Sequence, residues 1–342
     1  MSYPKPLSEK TLAKMYIQAD IDEKKSNFLH KLFLASANLY GVVVLRDLWD
    51  ICREIAGQYG MAHIRRKDII AFSSIVRRED VPYYVYEINE LYSEEKQNNL
   101  DREIVLKEII GTGQGKKWGY YDLVERQGDK PYFIPKDLLA FAEPNPTEAE
   151  TQLLTFLKGL KVTAREVEMK NGKKIPCEHY GETLGGFSFM NRSERFEYTY
   201  YSGENEGRPI KRDEKRLARL MKRTSCSEAE KIVNAFRERC SLGISAHMVS
   251  IRYIADELEE VGIVLGKKQL EKLIKLATEM NNKSHLWCNR GWTPNDLAEN
   301  YGREEIKEIS IGPGIRQAIA EGKMSRKEPE EEMRKRGIKL IW

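Results

Sequence analysis

The stretch NLYGVVVLRDLWDICREIAGQYGMAHIRRKDIIAFSSIVRR, Asn38 to Arg78, constrains the fold more than any other part of the chain. A β-branched run, Val42 to Val44, leads into a segment with Leu45, Leu48, Trp49, Cys52 and Ile55 on one helical face. A turn at Gly57 to Gly60 stops that helix, and Ile69, Ile70, Phe72, Ile75 and Val76 supply a second apolar face. With Phe28, Leu32 and Leu39 ahead of it, the pattern predicts three helices with tight joints, as in a helix-turn-helix or winged-helix unit. Such a pattern specifies a fold and leaves activity open.

Downstream, Val81 to Ile88 interleaves aromatic and β-branched residues as a strand does, with Pro82 confining it to a strand start or an edge. Leu100, Ile104, Val105, Ile109 and Ile110 have a helical period that ends at Gly111, and WGYYDLVERQGDKPYFIP reads as a hairpin from Trp118 to Ile134. The run GTGQGKKWG invites a phosphate-loop reading but fails it. Gly111 and Gly115 enclose three residues instead of four, and Lys117 stands where a magnesium-binding Ser or Thr belongs.

Together these features predict a mainly α chain with a minor β component, in three parts. Residues 1–142 form a winged-helix-like amino-terminal domain, and the prolines after Ala142 mark its end, with Thr147 capping the next helix. Residues 143–226 hold a linker helix, an irregular or short-stranded segment and a basic helix. That helix, Arg208 to Arg223, has eight basic residues and two acidic ones, with Arg212, Lys215, Arg216, Arg219, Lys222 and Arg223 along one side. Residues 227–342 are read as a carboxy-terminal helical domain, with Ile232, Val233, Phe236 and Cys240 as the apolar face of its first helix.

With 342 residues, 41% of them apolar, the chain can bury more than one core, and a net charge of +4 gives only a mild basic lean. No stretch is long and apolar enough to span a membrane, and the start lacks a signal-peptide core, so a cytoplasmic location is expected. Five scattered cysteines, Cys52, Cys177, Cys226, Cys240 and Cys288, read as reduced thiols. Cys177/His179 and His285/Cys288 have ligand types suited to zinc, but their spacings are not those of a zinc knuckle. No Ser/His/Asp order stands out among the five histidines, so the sequence nominates no catalytic residue, no metal site and no cofactor.

The segment from Asn281 to Leu297, NNKSHLWCNRGWTPNDL, resembles the N-N-x-x-x-x-W-x-x-x-G-x-T-P-N-[DE]-L signature of a poorly characterised group of bacterial proteins, many of which end in a SEC-C zinc motif. The tail from Ile311 to Trp342 and the LYGVV and YFIP stretches are similar to the same group. Up to Trp342 there is no cysteine-rich SEC-C segment, so the zinc-dependent or translocase-related role tied to that motif is not carried over, and the resemblance supplies no catalytic residue. Physically, Gly291 permits a turn, Thr293 caps a helix with Pro294 at its first position, and Asn295 and Asp296 favour its start. Trp287 and Trp292 close over this corner and are the candidate partner-binding residues.

The expected function is that of a non-enzymatic macromolecule-binding or adaptor protein acting through protein–protein contacts. The alternative is a nucleic-acid-binding regulator using Lys67 and Arg78 on the recognition helix together with the basic 208–223 helix. A metal- or nucleotide-dependent enzyme is the third reading.

Overall fold

Three consecutive valines favour extended backbone, and in the computed structural model Val42–Val44 forms strand β1 directly after a long helix. The structure describes residues 3–92, 98–110, 117–168, 172, 174–177, 179–187, 227–243, 247–301, 308–310, 325 and 339–341. The chain divides into two compact units, Met1–Pro294 and Asn295–Trp342.

The first unit begins with α1 (Glu9–Gln18) and α2 (Glu23–Tyr40). Asp22 caps α2 by accepting the Lys25 N–H at 2.8 Å. After β1 come α3 (Leu45–Ile55), a 3-10 turn (Ala56–Tyr59) and α4 (Arg66–Val76), as the sequence predicts. Strand β2 (Tyr83–Tyr86) starts just after Pro82, whose missing N–H is harmless at that position. Then follow α5 (Ile88–Leu91), β3 (Glu103–Leu106) and α6 (Lys107–Ile110). The strands pair antiparallel in the order β1-β3-β2, so β2 lies at an edge, and Ile104 is in register with both Val43 and Val85. Phe28, Leu29, Leu32 and Phe33 of α2 belong to the same apolar core as Leu48, Ile69, Phe72 and Val85.

Two expectations are corrected here. The Leu100 to Ile110 segment is not one helix, because Glu103–Leu106 is paired on both sides and buried throughout. An apolar run buried on both faces has no single period to reveal it as a strand. The hairpin expected from Trp118 to Ile134 is likewise absent: Lys117–Gln127 is helix α7, and Tyr120, Leu123 and Gln127, spaced three and four apart, are its buried positions. Its closely spaced tyrosines suggested alternation, and burial along one side decided for the helix.

Further on lie α8 (Glu148–Lys158), β4 (Glu166–Glu168) and β5 (Lys174–Pro176), the last two an antiparallel pair. Next come α9 (Glu228–Ser241), α10 (His247–Glu260), α11 (Lys267–Lys283) and α12 (Pro294–Tyr301). Thr147 caps α8 as expected, accepting the Glu150 N–H at 3.2 Å. Contacts cross both sequence boundaries, at 142/143 and 226/227: Trp287 donates to Asn38 O at 2.8 Å, and Lys158 pairs with Glu230 at 2.6 Å. In the second unit, β6 (Glu308–Ser310) and β7 (Lys339–Ile341) pair in parallel. The chain is mainly helical, and among its described residues no helix is long and apolar enough to cross a membrane.

The signature segment folds as a corner seated on the α2–β1 joint. Trp287 is 8% exposed and donates its indole N–H to Asn38 O at 2.8 Å. Gly41 has φ +71°, and a Cβ there would lie 2.8 Å from Trp287 Cγ. Reciprocally, Gly291 has φ +85°, and a Cβ there would lie 2.9 Å from Tyr40 Cε1. Each glycine makes room for the aromatic ring beside the other. Gln127 ties the joint by donating from Nε2 to Tyr40 O at 2.8 Å and to Trp287 O at 3.0 Å.

Candidate binding cleft

Helix α9 spends Ile232, Val233, Phe236 and Cys240 on the core, so its opposite positions Lys231, Asn234, Ala235 and Glu238 are left to border a cleft. The end of α2 contributes Asn38 and Leu39, and the start of α8 contributes Thr147 and Glu150. Phe141 forms a further wall, and Ser284, His285 and Trp287 line it from the segment after α11. The cavity is about 650 Å³ and mixes apolar side chains with polar ones, the usual composition of a ligand-binding concavity.

Its charges divide into satisfied and unsatisfied groups. Arg237 pairs with the buried Glu150 at 2.8 Å, and Lys231 pairs with Glu228 at 3.4 Å. Both cations of the lining are therefore engaged. Glu108, Glu143 and Glu238 have no ion-pair partner among the described residues. Ser284 terminates α11 with an extended backbone conformation, is only 6% exposed, and its Oγ has no hydrogen-bond partner among the described residues. Beside it, His285 donates from Nδ1 to Gly291 O at 2.6 Å, and its ring stacks on Phe133 at 5.0 Å.

A second, more open depression of about 590 Å³ lies at Asp47, Asp50, Glu54, Tyr132 and Arg290. There Arg290 covers the Tyr132 ring at 4.7 Å and Tyr132 bonds to Asp47, so the charges largely answer one another. Comparison of the chain with known protein families, with curated proteins and with solved structures returned no match. The cleft must be interpreted from its own chemistry.

The residues nominated from sequence are dispersed. Lys67 is exposed on α4 and Arg78 is exposed two residues past its end, but between them the Ser74 hydroxyl accepts from Arg102 at 2.6 Å, and Leu7 donates to Arg78 O at 2.9 Å. The stripe of Arg212, Lys215, Arg216, Arg219, Lys222 and Arg223 lies outside the described residues, as do the Gly111 loop and Cys226. Trp287 is closed into the corner and reaches the cleft lining, whereas Trp292 is half-buried and donates its N–H to Pro131 O at 3.0 Å.

The four zinc-type residues are used separately. Cys177 Sγ donates to Val261 O, His179 stacks on Phe187 at 4.0 Å, and Cys288 Sγ donates to Cys240 O. Among the described residues no group of three or more His, Cys, Asp or Glu is arranged to hold a metal ion. Sequence reading missed Glu238 and Ser284. The polar side of α9 was a visible signal for Glu238, whereas nothing local distinguishes Ser284.

Proposed function

We propose that this chain is a non-enzymatic binding protein, an adaptor acting through protein–protein contacts, and that the cleft bordered by α9 is the surface it uses. One observation carries the reading: an open cavity of about 650 Å³ whose lining pairs its own Lys231 and Arg237 and leaves Glu108, Glu143 and Glu238 without an ion-pair partner among the described residues. Carboxylates left over beside the apolar Leu39, Leu106 and Trp287 give the cleft the mixed character of a docking surface.

The amino-terminal residues fit the same reading. The order α2, β1, α3, α4, β2, β3, with β3 between the other two strands, supports a winged-helix-like unit within residues 1–142. In such a unit α4 would be the presented helix. With Ser74 engaged by Arg102 and the end of α4 tied to Leu7, little is left for reading bases, which supports a protein-docking role. The nucleic-acid alternative rests on Lys67, Arg78 and the 208–223 stripe.

The test seals the cleft with Ala235→Trp, checks the fold by circular dichroism and melting, and compares partners captured from nuclease-treated and untreated extract. The adaptor reading expects a partner that survives nuclease and is lost from the sealed variant. Nuclease-sensitive partners retained equally by the sealed variant would instead establish the nucleic-acid reading.

A further inference from the structure

We infer that the outer edge of strand β2 is a second docking surface, one that takes an extended, aromatic-bearing segment of a partner protein as an added strand in place of the chain's own amino-terminal arm. This surface shares no residue with the cleft and does not depend on it. Strand β2 pairs with β3 on one side only. In an antiparallel ladder successive residues point their N–H and C=O groups to opposite sides, and the Lys107 N–H donating to Pro82 O at 3.0 Å sets the phase. Tyr84 and Tyr86 therefore face β3, while Tyr83 and Val85 turn their backbone groups to the outer edge.

The arm ahead of α1 occupies that edge. The Val85 N–H donates to the Tyr3 hydroxyl at 3.0 Å, and the Tyr3 ring lies against Tyr84 at 4.6 Å and Tyr86 at 5.2 Å. With the arm in place Val85 is 0% exposed. Yet the arm is an incomplete partner for a strand: its bond to Val85 comes from a side chain, and Pro4 and Pro6 have no N–H to give a ladder. It is also lightly held, since residues 5 to 11 are exposed and α1 behind it has no buried residue. A segment with a full set of backbone donors and acceptors would make more bonds to the same edge, which is how extended peptides add to sheets. The ring it must carry is the one that Tyr3 now supplies. Pairing two copies of the chain through β2 would displace two arms for one ladder, whereas a partner segment displaces one.

The experiment uses the full chain and a fluorescein-labelled peptide of Thr and Val with one central Tyr, followed by anisotropy. Tyr3→Ala, with its fold checked by circular dichroism, should bind the peptide about tenfold or more tightly than the parent, because the arm no longer competes for the edge. Tyr3→Phe keeps the ring and loses only the hydroxyl, so it should fall between the two, and it carries the test if Tyr3→Ala does not fold. The peptide with an N-methylated backbone should not bind, and the one with Thr in place of Tyr should bind more weakly. Without any peptide, hydrogen exchange at the Val85 amide should quicken in Tyr3→Phe, while the Tyr84 and Tyr86 amides, turned to β3, keep their rates.

Equal peptide affinity in the parent and both Tyr3 variants would overturn the inference, as would binding that survives N-methylation or no binding at all. A Tyr3→Ala protein that sediments as a dimer and excludes the peptide would make a second copy the occupant and overturn it too. Ala235→Trp should bind the peptide as the parent does, so failure of the cleft reading and failure of this one are separately visible.

Discussion

Glu103 is a carboxyl group placed where water cannot reach it, and its consequences for stability can be worked through. It sits in the central strand β3, is 5% exposed, and accepts a short hydrogen bond from the Tyr120 hydroxyl, which itself meets the Tyr92 hydroxyl at 2.7 Å. Burial raises its pKa from 4.5 to about 7, the Tyr120 bond opposing that rise only in part. A carboxyl whose folded pKa lies above its unfolded one stabilises the fold below about pH 4.5, and that contribution is lost as pH rises through about 7.

Between pH 5 and pH 8 the loss from this one group amounts to about 2.5 kcal/mol, from roughly 1.4 kcal/mol per pKa unit. Glu103→Gln keeps a neutral amide that can accept from Tyr120 and removes the titration. The assay is urea unfolding of both proteins at pH 5 and pH 8, comparing the change across pH so that the other titrating groups cancel. The variant should lose about 2.5 kcal/mol less than the parent across that interval and be the more stable protein at pH 8. An identical pH dependence in the two proteins would refute the reasoning.

Further outcomes follow from other parts of the fold. Gly41→Ala or Gly291→Ala should each cost about 2–4 kcal/mol, since both have positive φ and a Cβ under 3 Å from an aromatic ring, as denaturant midpoints would record. Trp287→Ala should destabilise by about 3–5 kcal/mol in the same measurement, because it empties the seat against Gly41 and removes the indole donor of Asn38 O. If the nucleic-acid alternative holds, changing Arg212, Arg216 and Arg219 to Ala should flatten the log–log salt dependence of duplex-DNA binding by up to about three, as titrations at several salt concentrations would reveal.

What was legible in the sequence was whatever burial marks with one period. The helices α2, α3 and α4 carry one-sided apolar faces, and β1 and β2 are short β-branched or aromatic runs, so all five could be read locally. Strand β3 escaped because it is buried on both faces, and α7 because its aromatic cluster, Tyr120 and Tyr121, sits at a helix start whose face is defined only by what covers Tyr120 and Leu123. Of the signature, the turn at Gly291 and the helix beginning at Pro294 were readable from local capping chemistry. Its seat on Gly41 was not, because nothing in either segment names the other. The cleft was less accessible still: Asn38, Glu150, Glu238 and Ser284 come from four distant stretches and are united only by tertiary packing.

The reciprocal seating of Trp287 on Gly41 and Tyr40 on Gly291 also has a temporal side. The bond from Trp287 to Asn38 spans 249 residues, so a chain emerging from the ribosome must wait for nearly all of the first unit before α2 and β1 can be finished. Until then the notch at Gly41, flanked by Ile109, remains an open apolar surface on an otherwise formed amino-terminal sheet. Nascent chains stalled before residue 287 should therefore be the forms that chaperones hold and that self-associate when released.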